Sequence, residues 1–425
     1  MTRSSVVPFQ RFLHALFTLV FSLACVSFAA AQTETILHTF PTGSSDGFDT
    51  DSGLIADASG ALYGVTHIGG ACNLSSEGCG VAYKLTPLSG DGWSESVLHS
   101  FAGHPNDGTS PQGNLLFDSA ARVFYGVTVS GGTNDSGIVF SLKPGNPWAE
   151  TIIYNFPSGQ NGQAGVVRHG GMLYGIAGGG SLGLGLVYRL RPPTTGTLWR
   201  QQILYQFTNG ADGSFPQAAP TVDSAGNVYG TTLSGPGAIA GTVYKLSPPP
   251  GGGTGAWTYS NLYTFSGNAD GNSPHSSVIF DSTGALYGTT ETGGANNSGV
   301  VYKLTPPTGG SGPWTETVLY SFTLGTDGGI PWAGLIFDSA GNLYGATAAG
   351  GDLSCGNGGG CGVLFKLSPP SGSGAWTETV LYSFVGGAGG DQPFYTPLLL
   401  NGNLFGTTAA GGGSKNGGIA FEVTP

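Results

Sequence analysis

The tripeptide Leu-Tyr-Gly and its close variants occur seven times, starting at Leu62, Phe124, Leu173, Val228, Leu286, Leu343 and Leu404. Each copy is followed by a glycine-rich loop and a second run, such as GVAYKL at Gly80 or GVVYKL at Gly299. A third run follows a Pro/Gly-rich linker, as in TETVLYSF at Thr315 and Thr377. A fourth precedes Leu-Tyr-Gly, as in AGLIFD at Ala333. Self-similarity at a period of about 50–60 residues limits the chain to a stacked or ring-shaped repeat architecture.

All four runs are short, rich in Val, Ile, Tyr and Phe, and bounded by Gly, Pro, Asp or Ser, so they read as β-strands. No segment sustains a 3.6-residue apolar period, and no long helix is expected. We label the strands a (LIFD), b (NLYGTT), c (VVYKL) and d (TETVLYSF). The a–b link, DSAGN at Asp338, is a tight turn in which Asp bonds the backbone two residues on and Gly accepts positive φ. Four antiparallel strands per repeat read as a propeller blade. The ends decide between ring and solenoid. QTETILHTF at Gln32 copies strand d, whereas the chain stops at Pro425 just after a strand c. The N-terminal strand therefore completes the last blade, and closure removes the edges an open sheet would leave unpaired. The expected fold is all-β: one seven-bladed β-propeller over residues 32–425.

The 425-residue chain contains 78 Gly, and 39% of its residues are hydrophobic, a mixture that fits short strands joined by turns rather than disorder. Residues 1–31 carry Arg3 and Arg11, then an apolar run, then Ala29-Ala30-Ala31, which reads as a secretory signal peptide. Its removal would take two of 13 basic and none of 24 acidic residues, leaving a net charge of −13. Dispersed acidity argues against nucleic acid or anionic membrane as partner, and no second apolar segment is long enough to span a bilayer. Cys72 with Cys79, and Cys355 with Cys361, are close in sequence, and in an exported protein they read as two local disulfides.

The runs GNLYGAT, GGANNSGVVYKL and WTETVLYSF resemble the GloVer tandem repeats of secreted bacterial choice-of-anchor proteins. The order of elements is also similar to NHL-type propellers. The resemblance covers essentially all of 32–425. It implies a secreted, often surface-tethered protein with no activity defined at family level. No anchor segment precedes Pro425, so tethering is not expected, and the compartment is expected to be extracellular or periplasmic.

Strand alternation puts the d–a and b–c loops on one face of the ring. The d–a loops repeat Asp-Gly followed by Pro, at Asp107, Asp212, Asp270 and Asp327, with a partial copy at Asp391. These aspartates read either as a carboxylate ring binding a ligand or as turn caps, and regular recurrence favours turns. The first copy, DGFDTDSG, holds Asp46, Asp49 and Asp51, a carboxylate cluster of the kind that suits Ca²⁺, though at no standard calcium-loop spacing. Six tryptophans at the entry of strand d (Trp93, Trp148, Trp199, Trp257, Trp314, Trp376) offer a stacking ring for sugars or, more simply, packing. Trp332 lies outside that set, in a d–a loop, and is the better ligand contact. Among the histidines, His67 and His104 are the acid/base candidates, whereas His38 and His99 stand where strand d elsewhere has Tyr and read as core substitutes. The strand-c lysines and strand-d glutamates read as solvated outer charges.

The function expected from these features is non-enzymatic: a monomeric exported propeller that binds a glycan, a protein or a small polar ligand, or serves as a scaffold. The alternative is a propeller hydrolase or lyase at the channel mouth, which requires carboxylates and a histidine converging there.

Overall fold

A computed structural model describes residues 32–43, 45–72, 78–90, 92–236, 240–252, 255–310 and 312–425. The expected signal peptide, 1–31, lies outside the described residues. Seven four-stranded antiparallel sheets form the blades of a ring. In blade 5 the four strands are Ile279–Phe280, Leu286–Thr290, Val300–Thr305 and Thr315–Ser321, in the order a, b, c, d across the sheet. Blades 1 to 6 span 55–100, 108–155, 160–206, 221–264, 279–321 and 336–383. Blade 7 combines 398–424 with the N-terminal strand Thr33–Thr39. That strand pairs with Ile419–Thr424, from Thr33 opposite Thr424 to Thr39 opposite Ile419. Ring closure by the N-terminal strand is as the sequence predicts.

Strand b shows why the repeat is so strict. In Leu286–Thr290 every residue is buried, because neighbouring blades cover both faces. The glycine of Leu-Tyr-Gly is needed for close approach, not for an unusual backbone. A Cβ on Gly288 would lie 2.5 Å from the Tyr302 hydroxyl, and one on Gly64 would lie 2.4 Å from that of Tyr83. The same crowding by the strand-c aromatic ring occurs in all seven blades, with Phe140, Phe365 and Phe421 replacing Tyr in blades 2, 6 and 7. Tyr83, Tyr188, Tyr244 and Tyr302 are fully buried, and their hydroxyls have no hydrogen-bond partner.

The tyrosine of Leu-Tyr-Gly closes the a–b turn. Its hydroxyl donates to the turn aspartate in Tyr63–Asp57 (2.7 Å), Tyr229–Asp223 (3.1 Å), Tyr287–Asp281 (3.0 Å) and Tyr344–Asp338 (3.2 Å). Strand register sets the strand-c lysine opposite that tyrosine, as in Tyr63 opposite Lys84. Lys84, Lys245, Lys303 and Lys366 lie over these rings at 5.1–5.8 Å from the centroids. They are cation–π partners, which corrects their reading as solvated charges. The strand-d glutamates are corrected as well. Glu34, Glu95, Glu150, Glu316 and Glu378 each bury one carboxylate oxygen without a partner, and burial pushes their carboxyls up to about 7.

The six strand-d tryptophans are buried or half-buried. Five of them pack against the strand-b aromatic ring of the preceding blade, in the pairs Tyr63–Trp148, Tyr125–Trp199, Tyr174–Trp257, Tyr287–Trp376 and, across the ring closure, Phe405–Trp93. They join blades. Disulfides Cys72–Cys79 and Cys355–Cys361 staple the b–c loops of blades 1 and 6. No helix among the described residues is long and apolar enough to cross a membrane.

Candidate ligand site at the channel mouth

In five blades the d–a loop runs from its aspartate turn through a proline (Pro111, Pro216, Pro274, Pro331 or Pro393) into strand a, and the residue after that proline lines the central cavity. A left-handed residue stands just before the proline (Thr50 in blade 1). It is Asp49, Ser110, Phe215, Ser273, Ile330 or Gln392, with φ between 56° and 60°. Such a conformation is costly for Phe and Ile, and it turns the chain inward at that point. The residues after it are Asp51, Gln112, Gln217, His275, Trp332 and Phe394, which line a cavity of about 650 Å³. Blade 3 lacks the proline, but Gln163 holds the same register, pairing with Ile176 as Gln112 pairs with Val127. In ring order this position reads Asp, Gln, Gln, Gln, His, Trp, Phe. One arc of the mouth is polar and the other aromatic. The strand-a residues Ile55, Leu116, Val167 and Ile279 add apolar side chains to the same cavity.

Asp51 is the charged centre of the polar arc. Its carboxylate accepts hydrogen bonds from the Tyr395 hydroxyl and from Gln112 Nε2 (3.0 Å), and His67 Nδ1 lies 3.4 Å away. Burial would raise the Asp51 carboxyl, but the nearby His67 imidazole and donation from Tyr395 and Gln112 outweigh it and hold the group below the usual range. The Asp51 carboxylate in turn raises the His67 imidazole, against burial. The His67 backbone N–H donates to the Asp49 carbonyl at 2.8 Å, which fixes the loop. Burial raises Asp49, with the His67 charge opposing it.

On the aromatic arc His275 stacks flat on Trp332, with centroids 5.0 Å apart and 9° between planes. Phe394 follows at 4.6 Å from Trp332. Burial lowers the His275 imidazole, against the Asp51 charge, so it is neutral near pH 7. The buried indole N–H of Trp332 has no hydrogen-bond partner among the described residues and is a donor ready for a ligand.

The other sequence candidates lie elsewhere. Asp107, Asp212, Asp270 and Asp327 do not line the channel; they cap their own turns. Asp270 accepts from the Ser266 backbone and hydroxyl and from Tyr263, and Asp327 from the Thr323 backbone and hydroxyl and from Tyr320. Asp212 does the same with Thr208, Gly210 and Tyr205, and Asp107 with Ala102, Gly108 and His99. His99 therefore takes over the hydrogen bond that tyrosine makes in blades 3, 4 and 5, and is no mere core substitute. His104 donates from Nδ1 to the Gly132 carbonyl at 2.7 Å, tying the d–a loop to the b–c loop. Asp46 is not brought to Asp49 and Asp51: it faces His38 at 3.5 Å, whereas Asp51 lines the channel with Asp49 near enough for the two charges to repel. Among the described residues, the groups of three whose ligand atoms come within 4.8 Å are His99/Asp107/Glu150 and Cys355/Cys361/Asp391, the latter holding a disulfide.

Trp332, Asp51 and His67 were legible as candidates. Gln112, Gln217, His275 and Phe394 were not, although each directly follows a loop proline, and Tyr395 carried no such signal.

The repeat pattern matches one family over nearly the whole chain, the Gloeobacter/Verrucomicrobia repeat, at residues 19–238 and 218–425. No curated protein matches the sequence. Among solved structures the chain is similar to a protein from Lactobacillus plantarum, at 14% identity over 78% of this chain and 83% of that one, with a TM-score of 0.49. It is also similar to a protein of unknown function from Dyadobacter fermentans DSM 18053, at 12% identity over 92% and 98%, with a TM-score of 0.45. A luciferin-regenerating enzyme matches at 13% identity over 74% and 91%, with a TM-score of 0.44. The two family matches together span the seven blades, and the chain belongs to the Gloeobacter/Verrucomicrobia repeat family.

Proposed function

We propose that this protein is an exported binding propeller that takes the end of a neutral carbohydrate into the channel mouth. The observation that carries the reading is the division of one ring position into a polar arc, Asp51 with Gln112 and Gln217, and an aromatic arc, His275 with Trp332 and Phe394. A sugar ring offers an apolar C–H face to Trp332 and hydroxyls to both sides. Asp51 accepts from hydroxyls, the Gln112 and Gln217 amides both donate and accept, and the free Trp332 N–H donates. A cavity of about 650 Å³ is of the size that holds one small ligand or a chain end. Export is supported by the N-terminal sequence and by two disulfides of the kind that persist in oxidising compartments.

The test is a glycan array probed with the protein processed at Gln32, followed by calorimetry on the best ligand. Trp332→Ala and Asp51→Asn are each expected to weaken binding at least about tenfold, equivalent to ~1.4 kcal/mol. An array without hits, or hits that both variants retain in full, would sink the reading. Edman sequencing of the exported protein should begin at Gln32.

One observation favours the hydrolase reading as second. Asp51 and His67 form a carboxylate–imidazole pair at the mouth, which is the convergence that reading needs. If the array ligand is cleaved on incubation and His67→Gln abolishes cleavage while sparing binding, the site is catalytic.

A further inference from the structure

Three of the interblade seams share one hydrogen-bonded arrangement, and the seam between blades 1 and 2 departs from it in an informative way. In the seams entering blades 4, 5 and 6, a strand-d tyrosine donates to the turn aspartate: Tyr205 to Asp212 at 3.1 Å, Tyr263 to Asp270 at 3.0 Å and Tyr320 to Asp327 at 3.0 Å. In blades 5 and 6 strand d then brings a glutamate, Glu316 or Glu378, close enough to that aspartate for the two charges to repel. Between blades 1 and 2 the tyrosine is replaced by His99, whose Nε2 lies 2.9 Å from Asp107 Oδ2. Glu150, from strand Ala149–Asn155 of blade 2, reaches the same point and buries Oε1 without a partner. One ligand atom from each of His99, Asp107 and Glu150 falls within a mutual 4.8 Å.

The His99 substitution changes the chemistry of the seam. A protonated phenol is a hydrogen-bond donor and a poor ligand, whereas a neutral imidazole is the commonest metal ligand. Two carboxylates complete a facial set that suits Zn²⁺ or Mn²⁺, leaving an outer position for water. Ca²⁺ is disfavoured, since it takes six to eight oxygens at longer distances. Asp107 is already held by the Ala102 and Gly108 backbone N–H groups, so the central ligand is preorganised. The His99 side chain is 21% exposed and that of Asp107 10%, which leaves a path for an ion to enter. The equivalent seam before blade 1 has His38, Asp46 and Glu95, but His38 and Asp46 stand 3.5 Å apart and the three do not come within the same reach.

We propose that His99, Asp107 and Glu150 form a divalent transition-metal site that clamps blade 1 to blade 2. The site is separate from the channel mouth and does not depend on what binds there.

The repeat itself supplies the control variants. His99→Tyr copies the seams entering blades 4 to 6, and Glu150→Gln copies Gln201 of blade 3, which holds the same register against strand c. Both variants should therefore fold. Calorimetry on the chelator-stripped full chain is expected to show one equivalent of Zn²⁺, with Mn²⁺ weaker and Ca²⁺ at least about 100-fold weaker than Zn²⁺. His99→Tyr and Glu150→Gln should each reduce Zn²⁺ affinity at least about tenfold, whereas His38→Tyr should leave it unchanged. Zn²⁺ should raise the melting temperature of the wild type and not that of His99→Tyr. Absence of Zn²⁺ binding by the wild type, or equal affinity in wild type and His99→Tyr, would overturn the proposal. If His99→Tyr fails to match the wild-type circular dichroism in EDTA, the comparison rests on Glu150→Gln, and full affinity there is equally fatal.

Discussion

Asp270 and His275 are five residues apart in one loop, yet they follow opposite rules. Asp270 recurs in the neighbouring loops as Asp212 and Asp327, and each copy spends its oxygens on its own turn. His275 stands where the other blades have Asp51, Gln112, Gln163, Gln217, Trp332 and Phe394, and apart from the three consecutive glutamines of blades 2 to 4 every blade differs there. Repetition marks what every blade needs in order to be a blade. Variation at a position of fixed geometry marks the surface that a ring offers only once.

That contrast can be attacked from the scaffold side first. Gly288→Ala drives a methyl group against the fully buried Tyr302 ring, and it should cost about 3 kcal/mol in urea unfolding. A smaller loss would mean that strand c yields and that the glycine is not required. Asp270→Ala removes the acceptor for Tyr263, Ser266 and its backbone N–H, and should cost about 2 kcal/mol, whereas Gln217→Ala at the mouth should stay within about 0.5 kcal/mol. Equal losses from the two would erase the division between frame and site. Tyr302→Phe should stabilise by about 1 kcal/mol, because the hydroxyl is buried without a partner and blades 2, 6 and 7 already use Phe at that place.

The weakest expected effect is with pH. Burial raises the strand-d glutamates from 4.5 to about 7, so folding favours their protonated form. Their contribution is complete below about 4.5 and is lost as pH rises through 7. Thermal unfolding should therefore show stability declining from about pH 4.5 to about pH 7 and levelling off above that. Glu316→Gln should make that decline shallower, and an unchanged slope would show that Glu316 is solvated in the folded protein.

The blade order was readable because each strand carries its own boundary residues, and the Gln32 segment betrayed the closure by copying a strand d that was missing at the other end. The disulfides were readable because their cysteines are six and seven residues apart. The roles of Lys84 and Lys303 were not, since they depend on which strand-b residue register sets opposite them. Nor was the mouth. His275 looked like an isolated histidine until Trp332, 57 positions later, stacked on it. Turn chemistry is local, whereas the site is assembled from residues that meet only when the ring shuts.

The bond from Tyr395 to Asp51 joins blade 7 to blade 1 across 344 residues of chain. It crosses the seam between the two ends of the chain, in the blade whose outer strand the N-terminus supplies. A ligand seated on Asp51 and Phe394 would therefore grip both sides of the join. By mass action it would stabilise the closed ring by RT ln(1 + [L]/Kd), about 2.7 kcal/mol at a hundredfold excess over Kd. In this propeller, occupancy of the channel mouth and resistance to opening of the seam are one equilibrium read at two places, and amide exchange along Thr33–Thr39 would report ligand binding on the opposite rim of the same blade.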